Sequence, residues 1–231
     1  MRMDKYLTLC TELTRTTAKK SLHAGRVKIN GVMEKNSGYH VQTDDIVSHD
    51  DIVLNLPDNG ARYAMLHKPA NYECSHQPSH HPSIFQLLDC VKAEQLHCVG
   101  RLDQDTTGLV LLTDDGQWSH RLTSPKHQHN KYYLVTTEQP ITDEQCQQLR
   151  DGVLLHGEQQ PSSAVQVERC NEQQIQLVIQ EGKYHQVKRM LAAVDHHVVA
   201  LHREQIAHIP LDPTLAPGEW RWLTASEVAL S

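Results

Sequence analysis

The chain of 231 residues is 39% hydrophobic and 22% charged, a composition typical of a protein that folds around a buried core. No apolar stretch approaches the roughly 20 residues that span a bilayer, and Met1 is not followed by the apolar segment of a signal peptide. The six cysteines form no CxxC pair, so reduced thiols in a cytoplasmic protein are expected.

The net charge of −6 is unevenly distributed along the N-terminal part of the chain. Residues 2–35 carry eight Lys and Arg against three Asp and Glu, whereas residues 36–60 carry five Asp and no Lys or Arg. This segregation predicts a small module that has one basic face and is otherwise acidic. Affinity for a nucleic-acid backbone comes largely from such basic side chains, so the negative total does not exclude an RNA partner.

Histidine is unusually frequent, with seventeen residues, which raises the question of a metal site. The densest group is His76, His80 and His81 with Cys74, and it lies in a polar stretch punctuated by proline rather than on a helix face. No HExxH motif occurs. The sequence therefore favours a solvated loop here, and no metal is expected.

Residues 1–58 begin with the pattern of two short helices. Met3, Leu7 and Cys10 recur at helical spacing. Thr14 is placed to cap a second helix, which ends at Gly25.

A hairpin is predicted to follow these helices. Val27 and Ile29 alternate with basic residues, and Asn30-Gly31 supplies the positive φ angles of a tight turn. Further extended segments are expected at 39–41 and 52–54, and residues 57–60 have the composition of a linker.

This order of helix, basic helix and the run from Gly25 to Gly31 resembles the S4 RNA-binding domain. The resemblance implies that the second helix and the next strand face RNA. Arg15, Lys19 and Arg26 would then project from one basic surface. A generic helix–helix–hairpin module is the alternative interpretation.

Residues 61–231 are expected to form a second domain of the α+β class, with a largely antiparallel or mixed sheet and flanking helices. The predicted strands lie at 64–66, 109–112, 132–135, 164–167 and 175–179. Thr142 with Gln145 marks a helix start, and an amphipathic helix is predicted over 187–194.

The run from Val99 to Leu109 is the sharpest feature of the sequence, because two carboxylates, an arginine and two threonines lie between apolar segments. An EF-hand calcium loop fits part of the spacing, but the apolar strand 109–112 would lie inside that loop. A phosphatase of the DxDxT type fits Asp103, Asp105 and Thr107. However, Gly100-Arg101 interrupts the strand that should precede the motif, and regular βαβ alternation is missing.

A third interpretation fits the whole run. Gly100-Arg101-Leu102-Asp103, with its continuation to Gly116, resembles the catalytic motif of the pseudouridine synthases. Lys68-Pro69, Lys131-Tyr132-Tyr133 and the stretch 181–190 fall where that family places its other motifs. The likeness is greatest to the small-ribosomal-subunit branch, which carries an N-terminal S4 domain and modifies one uridine of 16S rRNA.

The resemblance implies an isomerase that needs no cofactor and no metal. Asp103 would act on the target nucleotide as nucleophile or as base, and the sequence leaves both open. Lys188 would be its cationic partner, and Tyr133 would pack on the flipped uracil. The residues expected to bind substrate or RNA are Arg101, Lys68, Lys131 and Arg189.

The partners expected from the resemblance are 16S rRNA or a small-subunit assembly particle, bound by a monomer, with uridine 516 as the target. Two alternatives remain: a synthase that acts on large-subunit rRNA, and a non-catalytic RNA-binding assembly factor. One departure from the family pattern is visible, because Lys68-Pro69 is followed by Ala70-Asn71 where the family usually has glycine. Asn tolerates the left-handed conformation, so the turn is expected to form.

Overall fold

The computed structural model describes residues 1–11, 13–42, 44–54 and 60–229. The chain divides into two compact units, Met1–Ala61 and Arg62–Ser231. Residues 57–59 of the predicted linker lie outside the described residues. None of the described helices is long and apolar enough to cross a membrane.

The first unit contains two helices and four short strands: α1 (Met3–Cys10), α2 (Arg15–His23), β1 (Val27–Ile29), β2 (Val32–Met33), β3 (Val47–His49) and β4 (Ile52–Leu54). The strands form an antiparallel sheet in the order β2-β1-β3-β4. As predicted, Thr14 caps α2 by accepting the backbone N–H of Thr17 at 3.2 Å. Asn30 and Gly31 have positive φ in the β1–β2 turn. The segment 39–41 forms only an isolated bridge, between Arg2 and His40.

The described part of the second unit contains nine strands and four α-helices. In chain order these are β5 (Tyr63–Lys68), β6 (His97–Val99), β7 (Thr107–Thr113), α3 (Gly116–Thr123), β8 (Lys131–Thr137), α4 (Asp143–Asp151), β9 (Gln166–Arg169), β10 (Gln174–Ile179), α5 (Gln186–Ala192), β11 (Val198–Ile206), β12 (Ile209–Pro210), β13 (Trp220–Trp222) and α6 (Ala225–Val228). Short 3₁₀ helices lie at Ile84–Leu87, Ala93–Gln95 and Pro125–His127.

The nine strands form one mixed sheet in the order β13-β5-β7-β11-β8-β10-β9, with β6 beside β7 and β12 beside β11. The β7–β11 pair is parallel and the other pairs are antiparallel. The predicted α+β class with a mixed sheet is therefore confirmed. So are the predicted β9–β10 hairpin and the capping box of Thr142 and Gln145. Strand β11 at the centre of the sheet was not predicted.

Gly108 allows the central strands to approach closely where the functional residues lie. Its φ is +103°, and a Cβ at this position would lie 2.7 Å from the backbone nitrogen of Arg203 on β11. A contact this short excludes any side chain, because the atom that would be struck is backbone. The parallel β7–β11 pairing therefore depends on this glycine, and it brings β11 against the strand that follows the Asp103 loop.

Candidate active site

The loop that carries Asp103 connects β6 to β7, and hydrogen bonds from the buried side chain of Lys68 hold it in place. This lysine ends β5 and is fully buried. Its Nζ donates to three backbone carbonyls, at 3.0 Å to Pro69, 3.0 Å to Gln104 and 2.7 Å to Thr106. Burial lowers the pKa of Lys68. The expectation that Lys68 binds RNA is contradicted, because its ammonium group is occupied by the loop and has no access to solvent.

The turn that follows Lys68 keeps its shape without glycine. Asn71 has a φ of +65°, and its backbone N–H donates to the carbonyl of Gln104 at 2.8 Å. The expected left-handed turn is therefore present and adds a second hold on the loop.

Asp103 contacts Lys188 on α5 and His185, which immediately precedes α5. The Nζ of Lys188 lies 3.2 Å from Asp103 Oδ2 and 2.6 Å from Asp105 Oδ1, and His185 Nε2 lies 3.3 Å from Asp103 Oδ1. Burial opposes the charge of Lys188, but its bonds to Asp105 and Asp103 prevail and raise the pKa of Lys188. Burial likewise opposes the charge of Asp105, and Lys188 still lowers the pKa of that carboxyl. The loop thus presents two carboxylates that share one lysine next to a cavity.

That cavity has a volume of about 110 Å³ and is lined by Asp103, Lys188, Tyr133 and Lys131, among others. Tyr133 is buried on β8, while Tyr132 faces the other side of the strand and lines a different cavity. An aromatic wall beside a carboxylate suits a flat base. The structure therefore brings together three of the predicted residues, Asp103, Tyr133 and Lys188.

Lys131 is buried in the wall of the same cavity. Its Nζ donates to the carbonyls of Gln180 and His129 at 3.2 and 3.3 Å. Burial, and then the charge of Arg203, lowers the pKa of Lys131 to about 8. Lys131 is therefore a buried amine with a lowered pKa in the cavity wall, rather than a surface contact for a phosphate.

The two predicted arginines of this unit differ in their surroundings. Arg101 is exposed and lines both the cavity and a neighbouring open cavity of about 310 Å³. Arg189 instead donates to the backbone carbonyls of Tyr184 and His156 and lies 3.6 Å from Glu158. It lines neither cavity. Arg189 holds the start of α5 to the segment around residue 156, and the expectation that it binds substrate is not supported by its position.

In the first unit, part of the expected basic face is paired with aspartates from the acidic segment. Arg26 forms a bidentate ion pair with Asp50, and Lys28 Nζ lies 2.6 Å from Asp51 Oδ1. The strands β1 and β3 are neighbours, so the turn after β3 brings these aspartates to the basic strand. Arg15 and Lys19 remain exposed on α2, one helical turn apart. Two of the three predicted basic residues are thus available to a polyanion.

Three residues of the cavity were given no role from the sequence. His185 precedes α5 with a φ of +46°, stacks on Tyr184 at 3.8 Å and contacts Asp103. Arg203 and Thr106 are buried in the cavity lining. His185 lies within the stretch 181–190, three positions before Lys188, so its place in that motif is a signal that could have identified it. Arg203 lies outside all the motifs that the sequence analysis identified.

Within the described residues, no group of three or more His, Cys, Asp or Glu side chains is arranged to hold a metal ion. The stretch 74–83, which contains three of the histidines, is organised by Glu73. The Glu73 carboxylate accepts backbone N–H groups of Ser79, His80 and His81 at 2.8 to 3.0 Å. These bonds lower the pKa of Glu73 to about 2.

Comparison with known proteins identifies relatives along the whole chain. A family model described as RNA pseudouridylate synthase matches residues 62–193. Ribosomal small subunit pseudouridine synthase A of Escherichia coli K12 is 46% identical, over 99% of both chains. The protein of the same name from Pasteurella multocida is 48% identical, over 99% of this chain and 98% of its own. A crystal structure of a pseudouridylate synthase superimposes with a TM-score of 0.70 at 44% identity, covering 99% of this chain and 98% of the other.

Proposed function

This chain belongs to the RNA pseudouridylate synthase family, and we propose that its substrate is 16S rRNA of the small ribosomal subunit, in which it isomerises one uridine, uridine 516. It is an isomerase that converts uridine in RNA to pseudouridine. The relatives named ribosomal small subunit pseudouridine synthase A support the choice of RNA. The observation that carries the proposed site is the ion pair of Asp103 with Lys188 at the wall of a cavity that Tyr133 also lines.

Isomerisation breaks the C1′–N1 bond of uridine, turns the base and rejoins it through C5. No electrons are gained or lost, so no redox cofactor is required. The role proposed for Asp103 is to attack C1′ as a nucleophile or to remove the C2′ proton. Lys188 and His185 each contact one carboxylate oxygen of Asp103 at the cavity wall, and a carboxylate in this position can serve in either role.

The target nucleotide must leave its helix or loop before it can enter a cavity of this size. Arg101 is placed at the mouth, exposed and shared between two cavities, and its proposed role is to hold the extruded nucleotide through its phosphate or sugar. Tyr133 would then pack on the base, a contact worth about 1–3 kcal/mol. Lys68 contributes indirectly, because it fixes the loop from which Asp103 projects.

Residues 1–58 are proposed to be an S4-like RNA-binding domain and residues 61–231 the catalytic domain. Two helices followed by a hairpin, with Arg15 and Lys19 exposed on α2, support this assignment. The proposed partner is 16S rRNA or an assembly particle of the small subunit, bound in the cytoplasm by a monomer.

Mapping of pseudouridines in ribosomal RNA from a strain that lacks this gene tests the choice of substrate. We expect one pseudouridine, at uridine 516 of 16S rRNA, to disappear and to return on complementation. Loss of a site in large-subunit rRNA instead would reassign the enzyme to that substrate. An unchanged map would favour a non-catalytic RNA-binding assembly factor.

A further inference from the structure

Two buried polar atoms in the described part of the chain lack a hydrogen-bond partner. They are Nη2 of Arg203 and Oγ1 of Thr106. Both residues are nearly inaccessible, at 2% and 1% exposure, and both line the cavity next to Asp103. Buried polar groups are satisfied in the great majority of cases, so two unsatisfied atoms in one cavity indicate a ligand that completes them.

The guanidinium of Arg203 is held in a fixed position. Arg203 pairs with Tyr133 across β8 and with Gly108 across β7, and its Nε donates to the carbonyl of Leu109 at 2.8 Å. That bond uses one edge of the guanidinium and leaves Nη2 free. The free donor belongs to a rigid group in the centre of the sheet, so the strands determine where it points.

The charge balance of the cavity also indicates that a ligand binds next to Arg203. Neither Arg203 nor Lys131 forms an ion pair with any described residue, although both are buried. An unpaired buried charge is costly. The carboxylates of Asp103 and Asp105 are engaged by Lys188 instead. The cavity therefore has an excess of positive charge in its interior, where an anion or a carbonyl oxygen would be stabilised.

We propose that Arg203 and Thr106 recognise the uracil base of the target nucleotide, with Arg203 Nη2 donating to a uracil carbonyl oxygen and Thr106 Oγ1 accepting from N3–H, and that Arg203 stabilises the base as it leaves C1′. This rests on the isomerase activity and not on which RNA is the substrate.

The chemistry of the leaving base requires such a group. When C1′–N1 breaks, its electron pair departs with the base, whose negative charge is shared by N1, O2 and O4. If Asp103 attacks, a carboxylate lone pair forms the new bond to C1′. If Asp103 removes the C2′ proton, the C2′–H pair becomes a C1′–C2′ double bond. In both routes the base becomes an anion. A hydrogen bond from Arg203 Nη2 to its carbonyl oxygen is therefore stronger in the transition state than in the bound substrate.

The same pair of contacts distinguishes uracil from cytosine. Cytosine has no N3–H to offer Thr106, and it has an amino group in place of O4. If Arg203 faces O4, cytosine would place its amino group against the Arg203 donor, and Thr106 would have to reverse its hydrogen bond and donate to N3, so both contacts disfavour cytosine in a buried site.

The test combines protein variants with altered bases at the target position of one RNA. Wild type, Arg203→Gln and Thr106→Val are assayed on RNA carrying uridine, 2-thiouridine, 4-thiouridine or 3-deazauridine there. Sulfur weakens the contact at O2 or O4, and 3-deazauridine lacks N3–H. We expect Arg203→Gln to lower kcat about 100-fold with little change in KM. Thr106→Val should lower kcat about tenfold.

The decisive result is whether the loss of activity on an altered base depends on which protein variant is used. Wild type should lose activity on one of the two thiouridines and on 3-deazauridine. Arg203→Gln should be insensitive to that thiouridine, and Thr106→Val to 3-deazauridine. If each variant loses as much as wild type on every altered base, the effects are independent and the proposal is overturned. Conversion of unmodified RNA by wild type in the same reactions separates this outcome from a wrong choice of RNA.

Arg62→Gln is the matched control. The Arg62 guanidinium is fully engaged, by Asp114 and by the carbonyls of Val91 and Lys92, and it lies outside the cavity lining. It should lower thermal stability without changing kcat or the response to any altered base. If Arg203→Gln fails to fold, Thr106→Val with 3-deazauridine still decides the assignment of the base-recognition pair, because this substitution adds no charge and keeps the side-chain shape.

Discussion

Two clusters of charged residues in the second unit use similar side chains in different ways. In the C-terminal cluster, Arg221 Nε lies 2.6 Å from Asp212, and its two Nη atoms bind Glu227 at 2.9 and 2.8 Å. Hydroxyl groups of Thr214 and Thr224 donate to the same carboxylates. Every charge of the C-terminal cluster therefore meets an opposite charge supplied by the fold.

In the cavity cluster, by contrast, some cations have no carboxylate partner among the described residues. Lys188 is shared between Asp103 and Asp105, while Arg203 and Lys131 are buried without a carboxylate partner among the described residues. The C-terminal cluster has one cation for two carboxylates, whereas the cavity cluster has three cations for two carboxylates. The fold satisfies the C-terminal cluster completely and leaves donors free in the cavity, which indicates that the first stabilises and the second binds.

If the cavity cluster serves binding and chemistry rather than stability, Asp103→Asn should abolish activity and leave the melting temperature nearly unchanged. The amide keeps the shape of the carboxylate but can neither attack C1′ nor accept a proton, so we expect at least about a 10⁴-fold loss of kcat. Melting temperature is measured on the same preparation. A variant that retains a hundredth of the activity would show that another group performs the chemistry.

Lys188→Met should lower kcat about 100-fold, because it removes the cation that faces Asp103. Lys188→Arg keeps the charge and should lose less. The neighbouring Arg189→Met is the matched control, since Arg189 binds backbone carbonyls outside the cavity and its loss should leave kcat within about threefold. Equal losses in Lys188→Met and Arg189→Met would mean that both residues act only by holding α5.

Arg221→Met should have the opposite profile: unchanged kcat and a melting temperature lower by about 2–6 °C at neutral pH. The bond to Arg221 is the main cause that lowers the pKa of Glu227 from 4.5 to about 2. A lowered folded-state pKa gives stability that is complete above the unfolded pKa and is lost as pH falls. The difference in melting temperature between wild type and variant should therefore be constant above about pH 5 and shrink between pH 4.5 and 2. A difference that grows on acidification would contradict this assignment.

The smallest effect is expected in the first unit. Replacing both Arg15 and Lys19 with Gln should weaken RNA binding several-fold and reduce the salt dependence of the logarithm of affinity by about 1.5. Replacing Arg26 and Lys28 instead should matter less, because Asp50 and Asp51 already neutralise them. Affinity measured across a salt series distinguishes the two pairs. Equal slopes for both double variants would exclude α2 as the RNA-binding face.

The sequence predicted what is local or contiguous. The Thr14 cap, the Asn30-Gly31 turn, the β9–β10 hairpin and the Thr142 capping box are each defined by residues a few positions apart. Asp103 could be found because its neighbours form one long motif. Its proximity to Lys188 followed only from the family resemblance, since 85 positions separate the two residues and no local pattern relates them.

Strand β11 and the role of Lys68 were not predicted correctly, and each failure has a physical reason. Strand β11 has irregular alternation, because bulges between Val198 and Ala200 and between Arg203 and Gln205 shift its register. Arg203 at the centre of β11 is buried, although a charged residue at this position argues against a buried strand when only the sequence is known. Lys68 was misassigned because sequence does not reveal whether a lysine points into solvent or into a loop of carbonyls.

The most direct test of the central claim is the reaction of the purified wild-type chain with a transcript of 16S rRNA, without added cofactor. We expect one uridine to become pseudouridine while the mass of the RNA stays unchanged, because the base is detached and rejoined within the cavity. Release of free uracil, which would leave an abasic site, or an RNA with every uridine intact would contradict it.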